Sequence, residues 1–398
     1  MEEEREGAPC LPLPVLFSRF FCFGCLAFGG PVAQIGRLRH ELVDRERWVS
    51  PDRFKRVLAV YQALPGPEAT ELCVYFGMLS RGRLGGLLAG LGFILPGFLL
   101  VLGAAMILGG GGGRMPLVLA ALAGAQPAVV AMVLRGAARI GQGVLLSPWL
   151  WTIAAVAGLS EFLGAPFFIP ILAGALAWPL ARRRAHLAAV LTLGLATALI
   201  VLLALPMGSE PHATLAAANG SGSPTKTGLF TTGLRGGLLT FGGAYTAIPF
   251  VRGDVVVNGG WLTDQQFLDS LAISSVFPAP LVMFVAYVGC LIMSWPGAVL
   301  MTVGMFLPAF CFTLLGHSVL ERIIDNERIH AALDGIAAAV VGLMAVTAVQ
   351  LTQRAVNGWT PAIILVGGLA ALWLWRNAWA TPVVVTGGAL IGILSALS

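Results

Sequence analysis

About thirteen apolar stretches run through this chain, and together they leave few folds open to it. Roughly 20 apolar residues of helix, at about 1.5 Å of rise each, cross a bilayer core about 30 Å thick. Only 11% of the residues are charged, whereas an average soluble domain carries about 25%. The pattern predicts an all-α polytopic membrane protein with about 11 to 13 spans. The stretches lie at about 14–36, 57–80, 84–108, 115–140, 148–164, 166–181, 186–206, 229–250, 267–293, 295–316, 330–352, 359–376 and 379–397.

The charges and cysteines exclude several classes of function. The formal net charge is +5, but arginine in a membrane protein mostly marks loops that face the cytoplasm, so we expect no nucleic-acid partner. Cys22 and Cys25 form a C-x-x-C pair, yet no second pair or neighbouring histidine completes a metal site. We therefore expect no metal and no cofactor. The acidic start, MEEEREGAPC, lacks the basic region of a cleaved signal peptide.

A shift of 213 positions aligns one half of the chain with the other. It places Phe28-Gly29-Gly30 on Phe241-Gly242-Gly243, Trp48 on Trp261, and the run LPGP at 64–67 on FPAP at 277–280. One residue of slippage later, LPGF at 95–98 meets LPAF at 307–310. Chance does not produce this register over about 40 residues, so we infer an internal duplication.

A polar segment rich in Gly, Ser and Thr separates the two halves. We assign a transmembrane half to residues 1–206, a linker to 207–228 and a second transmembrane half to 229–398. Two homologous helical halves, with Gly/Pro-broken helices at matching positions, are typical of secondary transporters, which bind substrate near the midplane of the bilayer. The precedent of those transporters favours inverted repeats.

The course of segment 57–80 decides where the charges lie. If it crosses the membrane, the basic segment 37–56 and the turn 81–83 lie on opposite sides, which the positive-inside rule disfavours. If the LPGP run instead turns a re-entrant hairpin, both lie on one side together with Arg135, Arg139 and the run 182–184. The sequence leaves both courses open. The charges of 37–56 also fit an amphipathic helix on anionic lipid head groups.

The matched breaks are the predicted substrate site. The helix that follows a break presents unpaired N–H groups and the positive end of its dipole, which together favour an anion. Glycine permits close backbone approach, and proline suits the first turn of a helix. For one isolated break, a kink for packing is the simpler interpretation. The predicted substrate-binding residues of the breaks are Phe28, Gly29, Gly30, Pro31, Pro65, Gly66, Pro67, Phe241, Gly242, Gly243, Pro278 and Pro280.

Two arginines and two glutamates complete the predicted site. Arg39 and Arg252 occupy equivalent places in the repeat, and the guanidinium fork matches an oxyanion; the alternative is that they mark topology. Glu68 and Glu71 share one helix face and are predicted to couple transport to protons. Alternatively, Glu68 is a helix-start acid without a proton role. Weaker candidates within spans are Gln126, Arg135, Arg139, Glu161, Asp269 and Arg354.

At these motifs the chain resembles the chromate ion transporter family in its long, two-domain form. The matching runs include FGGPVAQI, LPGPEATELCVYFGMLSRG, TFGGAYTAIPFV and MTVGMFLPAFCFTLLGH. The resemblance implies export of chromate across the inner membrane, driven by the proton motive force, and hence chromate resistance. It also implies halves of opposite orientation. Sulfate has the same charge and shape as chromate, so the resemblance does not fix the natural substrate.

Two other classes of function compete with a carrier. An intramembrane hydrolase would need a nucleophile and a base at membrane depth, but the five histidines lie in loops or near span ends and no G-x-S-x-G occurs. We therefore do not expect an enzyme. A passive anion channel, or a carrier of sulfate or another oxyanion, stays open. So does the choice between a monomer and a homodimer.

Overall fold

The computed structural model describes residues 7–109, 116–204, 223–241, 243–324, 327–375 and 377–397, without the side chains of 63 and 316–328. Every regular element in this part of the chain is helical, which confirms the all-α fold class. The elements are α1 (Leu13–Cys25), α2 (Gly30–Leu38) with a π-helical turn (Arg39–Arg45), α3 (Pro51–Ala63), α4 (Glu68–Gly109), α5 (Pro116–Val144), α6 (Pro148–Phe162), α7 (Phe168–Arg182), α8 (His186–Ala204), α9 (Lys226–Leu238), a 3₁₀ turn (Ala244–Thr246) before α10 (Ala247–Arg252) and a π-helical turn (Gly253–Asn258), α11 (Asp264–Val276), a 3₁₀ turn (Leu281–Met283) before α12 (Phe284–Ile324), α13 (Glu327–Ala355), α14 (Trp359–Leu374) and α15 (Ala380–Leu397).

Six of the described helices are long and apolar enough to cross a membrane by length and composition. Two of these six, α4 and α12, are each two helices joined by a sharp break. The backbone leaves the helical conformation at Arg81–Gly82 and again at Met293–Ser294. In α4 the two arms run antiparallel, because Gly77 lies against Gly85 and Ala89. We name the arms α4a (68–80) and α4b (83–109), and correspondingly α12a (284–292) and α12b (295–324).

Two predicted spans of the first half are helical hairpins that enter and leave on the same side. Stretch 14–36 breaks after α1, and the chain that follows α2 returns alongside α1, where Arg19 in the middle of α1 pairs with Glu46. Stretch 57–80 breaks after α3, and α4a returns along α3, with Arg53 Nε donating to Tyr75 Oη at 3.1 Å. An α-helix of 13 residues, the length of α1 or α3, spans only about 20 Å. Both stretches therefore turn back at half height, which for 57–80 fits the re-entrant course better than a single crossing.

The second half repeats this plan upside down. Helices α4b and α12b run antiparallel, since a Cβ at Gly90 would lie 2.6 Å from the ring of Phe310 and one at Gly86 would lie 2.9 Å from Leu314. These two helices occupy equivalent places in the repeat, so their opposite directions show that the two halves are inverted relative to each other.

The two halves also interlock at their long helices. Helix α5 of the first half packs on α15 through Gly124 and Gly388, whereas its counterpart α13 packs on α7 through Gly335 and Gly174. Glycine at each contact lets the backbones approach closely, as is common between membrane helices. Each half therefore completes the core of the other.

Helix α8 has no counterpart among the described residues of the second half and is the element that reverses the chain between the halves. His186, its first residue, stacks on Trp149 near the start of α6, so α8 begins at the same end of the molecule as α6. Only four of its residues are buried: Ala189, Leu193, Ala196 and Ile200. Because α8 crosses the bundle once, the second half begins at the end of the bundle opposite to the start of the first half.

Most of the positive charge of the first half gathers at one end of the bundle. The segment 37–56 and the turn 81–83 lie together there, because Arg81 Nε donates to the Leu11 carbonyl at 2.7 Å and Gly7 lies against the Arg47 carbonyl. The run 182–184 at the end of α7 joins them, since α6 begins at this end and α7 runs back to it. We call this the basic end.

The predicted linker 207–228 falls largely outside the described residues, which resume at 223. Helix α9 begins at Lys226, inside the predicted linker, because Thr225 caps it by accepting a hydrogen bond from the Gly228 N–H at 3.0 Å. The domain boundaries stay predictions in other respects.

Candidate substrate site

The four breaks of the two halves meet at one cavity. Each break contributes the first residues of a helical segment: α2, α4a, the segment that begins at Ala244, and the segment that begins at Leu281. The cavity holds about 260 Å³ of empty space including its open mouth, and its inner part admits roughly one water molecule. Its lining residues are Pro31, Gln34, Pro67, Glu68, Ala69, Gly243, Ala244, Pro280 and Leu281.

The breaks lie at half height in the bundle. A Cβ at Gly97, in the middle of α4b, would lie 2.6 Å from the Cβ of Ala279, and one at Gly66 would lie 3.4 Å from the Cβ of Ala309 in the middle of α12b. Each PxP run therefore packs on the LPxF run of the other half. The Gly66 N–H also donates to the Thr240 carbonyl of the second half at 2.8 Å. The convergence expected from the repeat is thus present in the structure.

The first FGG run needs its glycines for conformation and for space. Gly29 and Gly30 have φ of 87° and 78°, in the left-handed region that glycine adopts without strain. Ala378 lies directly against the Cα of Gly29, and Phe28 stacks on Trp379 at 4.6 Å between ring centroids. In the second run, Phe241 is buried and Gly243 lines the cavity, while Gly242 lies outside the described residues.

The helical segments that face the cavity lack side-chain caps. Gly29, Gly243 and Pro280 precede three of the segments, and none of these residues supplies a side-chain hydrogen bond to the turn that follows it. Pro67 precedes α4a and has no polar side chain. The first N–H groups of an α-helix have no acceptor within the helix. Because each of the four segments begins at the cavity, the positive ends of their helix dipoles converge on it. The backbone at this cavity is therefore suited to an anion.

Gln34 is a residue of the cavity that the sequence reasoning missed. Its side chain is 4% exposed, and its Nε2 donates to the Ala27 carbonyl at 2.8 Å and to the Ala279 carbonyl at 3.3 Å. It thereby joins the FGG break of the first half to the PAP break of the second. The sequence did offer one signal, because Gln34 is a polar residue one turn after Pro31 in an otherwise apolar stretch.

The two glutamates lie side by side at the start of α4a. Glu68 lines the cavity at 6% exposure, forms a hydrogen bond with Gln62 and interacts with the charge of Arg139. Glu71 is fully buried, and neither of its carboxylate oxygens has a hydrogen-bond partner among the described residues. A Cβ at Gly66 would lie 2.8 Å from Glu71 Oε1, so the glycine makes room for this carboxylate.

The two equivalent arginines differ in surroundings, and neither lines the cavity. Arg39 is exposed, with Nε 3.7 Å from the Asp44 carboxylate. Arg252 is 6% exposed and uses its fork within the protein: Nε donates to Asp264 at 2.8 Å and NH1 to Gln350 at 2.6 Å. In the described state Arg252 is thus a buried structural contact, and a substrate contact for either arginine stays a prediction.

Comparisons with known proteins place these features in a family. The model of the chromate transporter family matches residues 15–218 and 227–393, which is one match for each half. The chain is 47% identical to a chromate transport protein of Pseudomonas aeruginosa, over 97% of this chain and 93% of that protein. It is 29% identical to a chromate transport protein of Cupriavidus metallidurans, over 98% of this chain and 94% of that protein.

A further relative, from Synechococcus elongatus, is named a probable chromate transport protein and is 29% identical over 97% of this chain and 96% of that protein. No solved structure matches this fold. The family match therefore rests on the sequence, and the geometry of the breaks comes from the structure described above.

Proposed function

Because the chain belongs to the chromate transporter family, we propose that this multi-pass membrane protein exports chromate across the inner membrane and so confers chromate resistance. The observation that carries the proposal is the cavity at half height where four uncapped helical segments begin. Backbone N–H groups and dipole ends bind a small oxyanion without a resident cation. The nine lining residues include no arginine or lysine.

The cavity in the described state is narrower than a tetrahedral oxyanion. Binding therefore requires the breaks of the two halves to move apart, and Gln34, which bonds to both halves, is placed to loosen when they do. Rocking of one inverted half against the other around a fixed central site is how many secondary transporters alternate access.

We assign the basic end to the cytoplasm by the positive-inside rule. Export of a dianion from a negative-inside cell then proceeds downhill electrically, by about 2.3 kcal/mol per charge per 100 mV, or about 4.6 kcal/mol for two charges. The membrane potential thus supplies a large part of the driving force, and a pH gradient influences export only if an acid near the site alternates between two protonation states.

Glu68 is our candidate for that acid, with Glu71 as its neighbour. Glu68 lines the cavity, and Glu71 lies one turn further along the same helix face, buried and without a described partner. Two adjacent buried negative charges repel each other, so the pair is suited to hold one shared proton. An arriving dianion strengthens that repulsion and favours proton uptake, so the pair is suited to carry a proton together with the substrate. A proton carried outward in this way moves against a pH gradient that is acid outside, and the membrane potential remains the driving force for export.

Flux measurements in proteoliposomes test the proposal. We expect purified protein to move chromate against its concentration gradient when a voltage or a pH gradient is imposed, and an uncoupler to abolish this movement. Flux that only ever follows the chromate gradient would instead establish a passive channel. Sulfate in a parallel experiment determines whether the protein discriminates between two dianions of the same shape.

The number of copies in the membrane is a separate question. Each half completes the core of the other within one chain, so we propose that one copy contains a whole site. Flux that scales linearly with protein in liposomes holding at most one copy would support this, and loss of flux in such liposomes would indicate a homodimer.

A further inference from the structure

A row of polar side chains leads from the cavity to the surface beside α5. Glu68 at the cavity forms a hydrogen bond with Gln62, whose side chain is exposed. Arg139 of α5 is also exposed and interacts with the charge of Glu68. Gln62 lies at the inner end of the half-length helix α3, and polar groups at such a depth face a water-filled space rather than lipid. We call the space between α3 and α5 that these two exposed side chains border the crevice.

The opposite wall of this crevice is built by the second FGG break. The ring of Tyr245 lies against Gly136 of α5, where a Cβ would come within 2.7 Å of its Cγ. A Cβ at Gly243, which lines the cavity, would lie 3.8 Å from Ile140 Cδ1. Tyr245 also interacts with the charge of Arg139. Residues 136, 139 and 140 share one helix face, so this face of α5 runs along the mouth of the cavity.

The equivalent place in the other half is closed. A shift of 213 places Gln62 on Ser275, and a shift of 211, which aligns Gly124 of α5 with Gly335 of α13, places Arg139 on Gln350. Ser275 is buried, and its hydroxyl donates to the Ala272 carbonyl at 2.8 Å. Gln350 accepts from Arg252, which also holds Asp264. The repeat therefore provides a sealed copy of the same passage at the end opposite the basic end.

We propose that the crevice between α3 and α5 is the path by which an oxyanion reaches the cavity from the basic end, and that Arg139 is the first fixed cation it contacts there. The identity of the anion rests on the proposed function. Arg139 lies five residues before the end of α5, between the cationic loops of the basic end and the helix starts at the cavity. Its fork suits an oxyanion, and a cation at the mouth of a narrow passage raises the local concentration of anions.

Thiol labelling tests the path without any transport. In a chain whose six native cysteines are replaced, Gln62→Cys should react with a charged, membrane-impermeant methanethiosulfonate in vesicles that expose the basic end to the reagent, and should not react in vesicles of opposite orientation. Ser275→Cys is the matched control and should stay unlabelled in both. Labelling of Gln62→Cys only by a lipid-soluble maleimide would place Gln62 in lipid and overturn the crevice.

The effect of the Arg139 charge can be measured in the same cysteine-substituted protein by comparing the labelling rates of anionic and cationic reagents. An anionic methanethiosulfonate should label Gln62→Cys faster than a cationic one relative to their rates with a free thiol. Adding Arg139→Gln should lower that ratio by about tenfold, because a unit charge about 6 Å away in water changes each rate by about threefold in opposite senses. Arg183→Gln, at the basic end but outside the crevice, should leave the ratio unchanged. An unchanged ratio in Arg139→Gln would overturn its role.

Transport then completes the test. Arg139→Gln should raise the half-saturating chromate concentration about tenfold, the effect of one unit charge on a dianion at about 6 Å in water, with a smaller change in maximal rate. Arg183→Gln should match the native chain, and equal values for Arg139→Gln and the native chain would contradict the proposal. Absence of chromate flux in the native chain, with labelling as expected, would overturn the proposed function and leave the access path standing.

Discussion

The two sets of breaks share a backbone plan and differ in chemistry. At the cavity the first half carries Gln34 and Glu68, where the second half has Ala247 and Leu281. One turn beyond Glu68, buried Glu71 corresponds to Phe284, whose ring packs on Phe267 at 5.7 Å between centroids. The polar side chains that line the cavity therefore come from the first half. The second half contributes the starts of two helical segments and apolar side chains.

For the equivalent arginines, the buried and bonded side chain lies in the second half. Arg252 of the second half is buried and bonded to two side chains, while Arg39 of the first half is exposed. The duplication has thus kept the scaffold in both halves. The first half has its ionisable group Glu68 at the candidate cavity, and the second half has the fixed contact of Arg252 with Asp264 and Gln350.

Removal of α8 should have the largest effect. Without residues 186–204, the second half would start from the same side as the first, so the inverted pairing of α4b with α12b could not form. We expect complete loss of folded protein, and a reporter fused to the carboxyl terminus should change sides of the membrane. The matched control replaces α8 by an Ala/Leu helix of equal length that retains Ala189, Leu193, Ala196 and Ile200. Normal transport by the deletion variant would contradict the topology.

Glu68→Gln should abolish the response of chromate flux to an imposed pH gradient and retain chromate binding, because the amide cannot take up a proton. Flux driven by voltage alone should persist. Leu281→Gln places the same amide at the equivalent position of the second half and should leave the pH response intact. A normal pH response in Glu68→Gln would leave Glu68 as a helix-start acid and move the search to Glu71.

Arg252→Lys should destabilise the protein by about 1–3 kcal/mol, since an ammonium group cannot satisfy Asp264 and Gln350 through one fork. Arg39→Lys, at an exposed ion pair, should fall within about 0.5 kcal/mol of the native chain. Thermal unfolding of the two variants in detergent measures the difference. Equal melting temperatures would show that the buried contact of Arg252 does not stabilise the fold.

An effect of similar size is expected at the two helix breaks. Gly82 and Ser294 have nearly the same backbone conformation, with φ of 60° and 51° and ψ of −155° and −153°, a region that strains residues other than glycine by about 1–3 kcal/mol. Ser294→Gly should therefore raise the melting temperature, and Gly82→Ser should lower it. A shift of the same sign in both variants would show that the breaks are not equivalent.

Much of the plan follows from the sequence, because duplication and broken helices are patterns of local composition. The repeat predicted that the halves are inverted and that the FGG and PxP runs lie together. Matched breaks in two interlocked halves of one chain must meet near the two-fold axis that relates the halves. Residue roles that depend on distant contacts did not follow. Nothing in the sequence around Arg252 shows that its guanidinium group donates hydrogen bonds to Asp264 and Gln350.

The course of stretch 57–80 stayed open in the sequence for a related reason. Hydropathy averages over a window, so a break of four residues such as LPGP at 64–67 leaves stretch 57–80 apolar as a whole while reversing its direction. Gln34 escaped attention because its importance comes from the Ala279 carbonyl, far away in sequence. Contacts between the halves are the information that a single sequence pattern lacks.

Locating bound chromate in crystals would show whether the cavity between the two halves is the anion site. Chromium scatters X-rays anomalously at its absorption edge, so crystals of the protein with chromate would reveal the anion by element. We predict one dominant chromium peak in the cavity, within about 4 Å of the backbone nitrogens of Ala69 and Ala244, a distance set by a hydrogen bond of about 2.9 Å plus the bond from oxygen to metal. A dominant peak at Arg252, or on the basic segment 37–56 with none in the cavity, would contradict the account.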